Sequence, residues 1–177
     1  VDEDLRPGFT KIWKKPLAQT RWIEEVFSGI FGYKPELGLS IEQIAGEPLF
    51  GTMVFANIDK TPMKNVKTIL EPVLTDHHII ILNGDTTNTR DAQDLVEKEI
   101  AAIKRGDYKG KTKLIVITNM IGSRSFTIPE IRACLMMQDA GDVAPWGQKS
   151  SRGLSPEHGS DFDKGIGKNY SHIFDFN

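Results

Sequence analysis

The sequence predicts an α/β domain: a central, mostly parallel sheet with helices on both faces. Three observations carry this. Short runs near-continuous in Ile, Val and Leu, above all His78 to Leu82 and Lys113 to Thr118, read as strands buried on both sides. Between runs of this kind lie stretches whose apolar residues recur at helical spacing, the best from Asp91 to Arg105. The two kinds alternate along the chain. That order implies right-handed crossovers and a parallel sheet.

Residues 1–20 are polar, with Pro7, Gly8 and Pro16, and read as an extended lead-in. Gln19 to Phe31 reads as a helix, because Trp22, Ile23, Val26, Phe27 and Ile30 fall on one side and Gly29 and Gly32 close it. A short helix is expected inside Gly38 to Pro48, capped by Ser40 with Glu42-Gln43 close behind. From Gly51 the rhythm changes. Thr52 to Ala56 is the first expected strand. Lys60 to Leu74 follows as a helix, with Pro62 acceptable in its first turn and Pro72 stopping or kinking its end. His78 to Leu82 is the second strand. The Asp91 to Arg105 helix carries Ala92, Leu95, Val96, Glu99, Ile100 and Ile103 as a stripe, with Thr89 as its cap and Gly106 as its stop. Lys113 to Thr118, Ala133 to Gln138 and Tyr170 to Phe176 complete the strands. The expected division is a lead-in over 1–50, with one or two helices packed on the domain, and the domain itself over 51–177.

Bulk properties narrow the function. The 177 residues suffice for one good core and are short for two domains. Twenty-two Lys and Arg stand against 24 Asp and Glu, a net charge of −2, so no global field attracts nucleic acid. Any such contact must be local. Cys134 is the only cysteine, so an internal disulfide is excluded, and its apolar setting points to a buried structural thiol. No 18-residue apolar run exists to span a membrane, and the polar, acidic N-terminus does not read as a signal peptide. A cytoplasmic location is expected. The start at Val1 is read as that of a trimmed piece.

Two sequence features are decoys. Gly106 to Thr112 ends in Gly-Lys-Thr like a phosphate-binding loop, but only three residues separate Gly106 from Gly110, where that loop needs four. It also follows a helix and precedes a strand, the inverse of the order that turns helix amides toward phosphate. It reads as a basic turn. His77-His78 invites a metal, yet adjacent strand residues point to opposite sides and no cysteine is near, so one exposed and one semi-buried histidine are expected.

Candidate site residues lie just after strands: Asn57, Asn83, Gly84, Thr118 and Asn119, with Arg90 at a helix start. Open parallel sheets gather functional groups along that carboxyl edge. These residues also carry a resemblance. Ile117-Thr118-Asn119 to Ile128-Pro129 resembles motif V of superfamily 2 helicases, and Gln148-Lys149-Ser150-Ser151-Arg152 resembles their motif VI, usually Gln-Arg-x-Gly-Arg-x-x-Arg. Met53-Val54-Phe55-Ala56-Asn57 is similar to motif IV. Leu82-Asn83-Gly84-Asp85 with Arg90 is similar to the His-Gly … Arg segment that follows the next strand. The four occur in family order over residues 50–177. The chain departs from the family at Lys149, Ser151 and Ser155, where arginine, glycine and the second arginine are usual.

The resemblance implies the C-terminal RecA-like domain of an ATP-dependent DNA helicase or translocase, a P-loop NTPase-type fold lacking its own P-loop. ATP and Mg2+ would then bind between it and an N-terminal RecA-like domain that supplies the P-loop. Gln148, Lys149 and Arg152 would face the nucleotide, with Arg152 as the arginine finger and Arg124 its rival. Asn57, Asn83, Gly84, Arg90, Thr118 and Asn119 would meet nucleic-acid phosphates. DNA is preferred to RNA because motifs V and VI do not match the DEAD-box pattern. As a full-length protein it would be an ATP hydrolase; this chain alone would be inactive. Two other readings stand beside this one: the motor part of a restriction or DNA-processing enzyme, and a non-catalytic α/β nucleic-acid-binding module.

Overall fold

The computed structural model describes residues 16–56, 65–83, 89–119, 128–137 and 172–175. Helix α1 (Pro16–Ile30) is followed by a 3-10 turn (Pro35–Leu37), α2 (Ile41–Ala45), β1 (Gly51–Phe55), α3 (Val66–Leu70), β2 (His77–Leu82), α4 (Thr89–Arg105), β3 (Lys113–Thr118), β4 (Ile131–Met136) and β5 (His172–Asp175). The strands form one sheet in the order β2-β3-β1-β4-β5, and each neighbouring pair is parallel. The alternation of strand and helix patterns anticipated this arrangement.

Side-chain alternation splits the core into two layers. Val54, Ile79, Ile115, Ile117, Ala133 and Leu135 point to one face, where Ile23 and Phe27 of α1, and Val66 and Leu70 of α3, cover them. Met53, Phe55, Ile80, Leu114, Val116, Cys134 and Met136 point to the other, under Ala92, Val96, Ile100 and Ile103 of α4. The stripes read from α1 and α4 are thus the faces they bury, although Leu95 of the α4 stripe stays exposed. Trp22 packs at the margin of the first layer, as a packing residue should. Cys134 is fully buried.

Local signals explain most boundaries. α2 starts with a capping box: the Ser40 hydroxyl accepts from the Gln43 amide, and the Gln43 side chain accepts from the Ser40 amide. Gly46, in the left-handed region at φ 73°, ends it. The helix expected over Lys60 to Leu74 is corrected within the described residues. α3 stops at Leu70 and turns carry the chain on to β2. Pro72 has no N–H to give to Thr68, so the helical ladder cannot continue. β4 begins two residues earlier than expected, at Ile131. The pairing jumps from Gly51↔Ile131 to Thr52↔Ala133, leaving Arg132 as an extra residue in the strand. That charged insertion hides the strand start from any alternation rule. α4 takes in Thr89 as its first residue rather than using it as a cap.

Gly106 to Thr112 forms the turn between α4 and β3, with Gly106 and Gly110 both at positive φ. The amides that follow Gly110 are already used. Lys111 N–H donates to Tyr108 O (3.1 Å), and the Thr112 and Lys113 amides both donate to Asp76 O (2.8 and 3.2 Å). A cradle for phosphate needs such amides pointing outward. These point into the protein.

Candidate functional site

Parallel strands bring their carboxyl ends to one edge. Phe55 and Leu82 both pair with Thr118, so the ends of β1, β2 and β3 stand side by side. The Thr118 carbonyl accepts from Ala56 N–H at 3.0 Å, which ties the β1 exit to β3. Just beyond, the Asn119 side-chain amide donates to the Asn83 side-chain oxygen over 3.4 Å. Residues 36 positions apart thus form a half-buried polar pair at the mouth of the edge. Thr118 is only 1 % exposed, so it fixes the edge from within and presents no open surface. Arg90 is exposed in the first turn of α4, whose N-terminus follows β2 at this same edge. The positive end of a 17-residue helix there favours anions.

Asn57, Gly84, Arg124, Gln148, Lys149 and Arg152 lie outside the described residues. Among the described residues no group of three or more His, Cys, Asp or Glu is arranged to hold a metal ion, and no helix is long and apolar enough to cross a membrane. In the only Gly-Lys-Thr segment the Lys111 and Thr112 amides are bonded within the protein. The residues assigned by resemblance to the nucleotide are Gln148, Lys149 and Arg152, so the fit of ATP and Mg2+ rests wholly on them.

The opposite edge holds groups that sequence reading missed. His77 is buried (4 % exposed) and His78 is half-buried, which corrects the expectation of one exposed histidine. They do point to opposite faces. On one, His77 Nδ1 lies 2.7 Å from Asp76 Oδ1 and 3.0 Å from the Tyr33 hydroxyl, with Phe31 edge-on to its ring. Burial holds the His77 pKa below its ordinary 6.5, opposed by the Asp76 carboxylate. On the other, His78 Nε2 lies 2.8 Å from Glu99 Oε2, and its ring stacks on Tyr108 at 4.1 Å. The Tyr108 hydroxyl donates to the same carboxylate, which raises its pKa.

Two further links join the first fifty residues to strand starts. Lys113 Nζ pairs with Glu42 at 2.6 Å, and Glu47 pairs with Arg132 (3.0 Å) and His172 (3.1 Å). Next to Asp76 and Lys113 a hollow of about 370 Å³ opens, lined also by Phe31, Tyr33, Ser40 and Glu42. The histidines' and strand-start partners drawn from other elements lie 21 to 125 residues away and leave no local pattern, so only the fold exposes these clusters.

No protein-family model matches the chain, and no curated protein matches it by sequence. Solved structures similar to it include domain 2 of the DEAD-box helicase Mss116p bound to an RNA duplex. That match has 14 % identity and a TM-score of 0.46, covering 88 % of this chain and 50 % of the other. The C-terminal domain of S. cerevisiae Dbp5, bound to Gle1 and IP6, gives the same identity and score over 89 % and 70 %. The C-terminal part of the Fun30 ATPase domain does so over 92 % and 41 %. The chain thus spans about half the length of the first of these.

Proposed function

We propose that this chain is the second motor domain of an ATP-dependent helicase or translocase acting on nucleic acid, preferably DNA. Its motor unit runs over 51–177, with 1–50 packed against it, and it works in the cytoplasm. One observation supports the reading. Ala56, Asn83 and Asn119 belong to the segments resembling motif IV, the His-Gly segment and motif V, and they follow neighbouring strand ends on one edge. Three separate resemblances thus converge on the edge where open parallel sheets bind ligands.

On this reading the edge tracks a phosphate backbone. Asn83 and Asn119 offer amide donors, Arg90 a guanidinium, and the α4 N-terminus its dipole. Such contacts position a motor without reading sequence. ATP, held with Mg2+ between this domain and its partner, would supply free energy by its hydrolysis. This chain would lend Arg152, or its rival Arg124, to the phosphates, with Gln148 and Lys149 alongside. A guanidinium can pair two phosphate oxygens at once.

Binding of labelled single-stranded DNA and RNA to the chain, titrated against salt, tests the track. Weak, sequence-independent binding that falls with salt is expected, with a slope set by the few charges neutralised. Arg90→Ala should weaken all sequences alike and flatten that slope by about one phosphate contact. The chain alone should turn over ATP negligibly. Tight, salt-insensitive binding to one sequence would replace the motor with the non-catalytic binding module. Motor-like ATP turnover by the isolated chain would overturn the division of labour.

A further inference from the structure

The first described segment carries an unusual surface. Five large hydrophobic residues are exposed among the described residues, and three of them fall within eight positions: Leu37 (53 %), Leu39 (69 %) and Ile44 (59 %). Single exposed aliphatics need no explanation, but three so close together in the chain do. These three interleave in sequence with Pro35, Ser40 and Gln43, which line the 370 Å³ hollow beside Asp76.

The surface also has a sign. Residues 35–48 hold three glutamates and no lysine or arginine. Glu42 and Glu47 are committed to Lys113 and to Arg132 with His172. Glu36 is exposed, and Asp76, 43 % exposed at the hollow, meets the His77 ring and no lysine or arginine among the described residues. Of the nearby cations, Lys113 is held by Glu42 and Lys111 Nζ by the Thr75 carbonyl at 2.9 Å; Lys34, half-buried, heads the segment. The hollow itself is lined by Glu42, Asp76 and Lys113, one negative charge in excess among the described residues, and it is large enough for a side chain.

We propose that this face docks a partner segment carrying a lysine or arginine flanked by aliphatic residues. The basic side chain enters the hollow toward Asp76 and the Tyr33 hydroxyl, and the aliphatic residues cover Leu37, Leu39 and Ile44. The face lies at the amino ends of β2 and β3, six residue steps from Lys113 or about 20 Å from Asn119. A partner bound here leaves the carboxyl edge open, so this inference stands independently of the proposed motor function.

The test uses three labelled hexapeptides: Leu-Lys-Leu-Leu-Lys-Leu and its glutamate and glutamine counterparts. Fluorescence anisotropy with the full chain should show the lysine peptide binding at least about tenfold tighter than the glutamate one. Leu39→Gln with Ile44→Gln should weaken the lysine peptide about tenfold, and Glu36→Gln with Asp76→Asn should erase its preference. Amide shifts of the unaltered protein give a readout independent of any variant; those of Gly38, Leu39, Gln43, Ile44 and Asp76 should move. Equal binding of all three peptides, no binding, or shifts confined elsewhere overturns the proposal. So does self-association of the chain that the Leu39 and Ile44 substitutions abolish, which would make the occupant a second copy.

Discussion

Gly51→Ala tests the join between β1 and β4, on which the whole sheet order depends. Gly51 starts the central strand and pairs with both Leu114 and Ile131. A Cβ built there would stand 2.8 Å from the Glu130 carbonyl oxygen and 2.8 Å from Ile131 Cδ1. Comfortable contacts between such atoms begin at about 3.5 Å. Ile131 can swing away at a rotamer cost of roughly 0.5–1.5 kcal/mol. The carbonyl cannot, because the turn before β4 is closed by Ile131 N–H on Ile128 O at 3.1 Å. One strand must therefore shift, at the roughly 1–3 kcal/mol typical of overpacking. For a chain of this size each kcal/mol lowers Tm by about 2–4 °C, so a fall of roughly 2–12 °C is expected by circular dichroism. The urea midpoint should fall with the m-value unchanged. Gly46→Ala is the contrast. Nothing lies within 4 Å of its Cβ, and only the left-handed φ of 73° opposes it, by roughly 1–2 kcal/mol. A Gly51→Ala protein as stable as the parent would mean that Ile131 does not face Gly51, and the β1–β4 register would be wrong.

Buried His77 should make stability depend on pH. Its folded pKa lies below 6.5, so the unfolded chain binds more protons in the window below that value, and this contribution is complete above pH 6.5 and is lost as pH falls beneath it. Urea midpoints from pH 8 to 5 should show this, and His77→Gln should flatten that part of the profile. Tyr108 should titrate above its ordinary 10.0 because it donates to the Glu99 carboxylate; in Glu99→Gln its ultraviolet phenolate signal should appear at lower pH. An unchanged titration would mean that the two side chains do not meet in solution.

What the sequence disclosed, and what it hid, follows from the range of each interaction. β3 is legible to the residue, since Lys113 to Thr118 is an apolar run bounded by turn residues. The capping box of α2 is legible for the same reason, because Ser40 and Gln43 are three positions apart. The start of β4 is not, because the extra residue at Arg132 makes sense only opposite Gly51 and Thr52. Pro72 marked a stop near the end of α3, but the expected bound at Leu74 lay beyond the observed end at Leu70. The histidine pair shows the limit most clearly. Alternation gave their opposite directions, but their burial depends on Tyr33 and Glu99, which lie 44 and 21 residues from their partners. At the carboxyl edge, the strand ends at Asn83 and Asn119 were readable. Their side-chain contact was not.

The same long-range links decide whether the first fifty residues are an appendage. Ile23, Phe27, Ile30, Ile41 and Leu49 are buried in one cluster with Val54, Ile79, Ile115 and Leu135 of the sheet. Fully burying a side chain of this kind contributes about 1.5–3 kcal/mol, so the five together account for roughly 7–15 kcal/mol as an upper estimate. That equals the whole stability of an ordinary domain, about 5–15 kcal/mol. Removing them would also strip Tyr33 from His77, Glu42 from Lys113 and Glu47 from Arg132, leaving buried or half-buried cations and a histidine without these partners. Losing one member of such a pair adds a penalty beyond the lost contact. A chain begun at Gly51 should therefore lack a cooperative thermal transition and show collapsed amide dispersion by NMR. Should it melt cooperatively with strong dispersion, α1 and α2 would be a dispensable cover, and the sheet would hold its first layer by α3 alone.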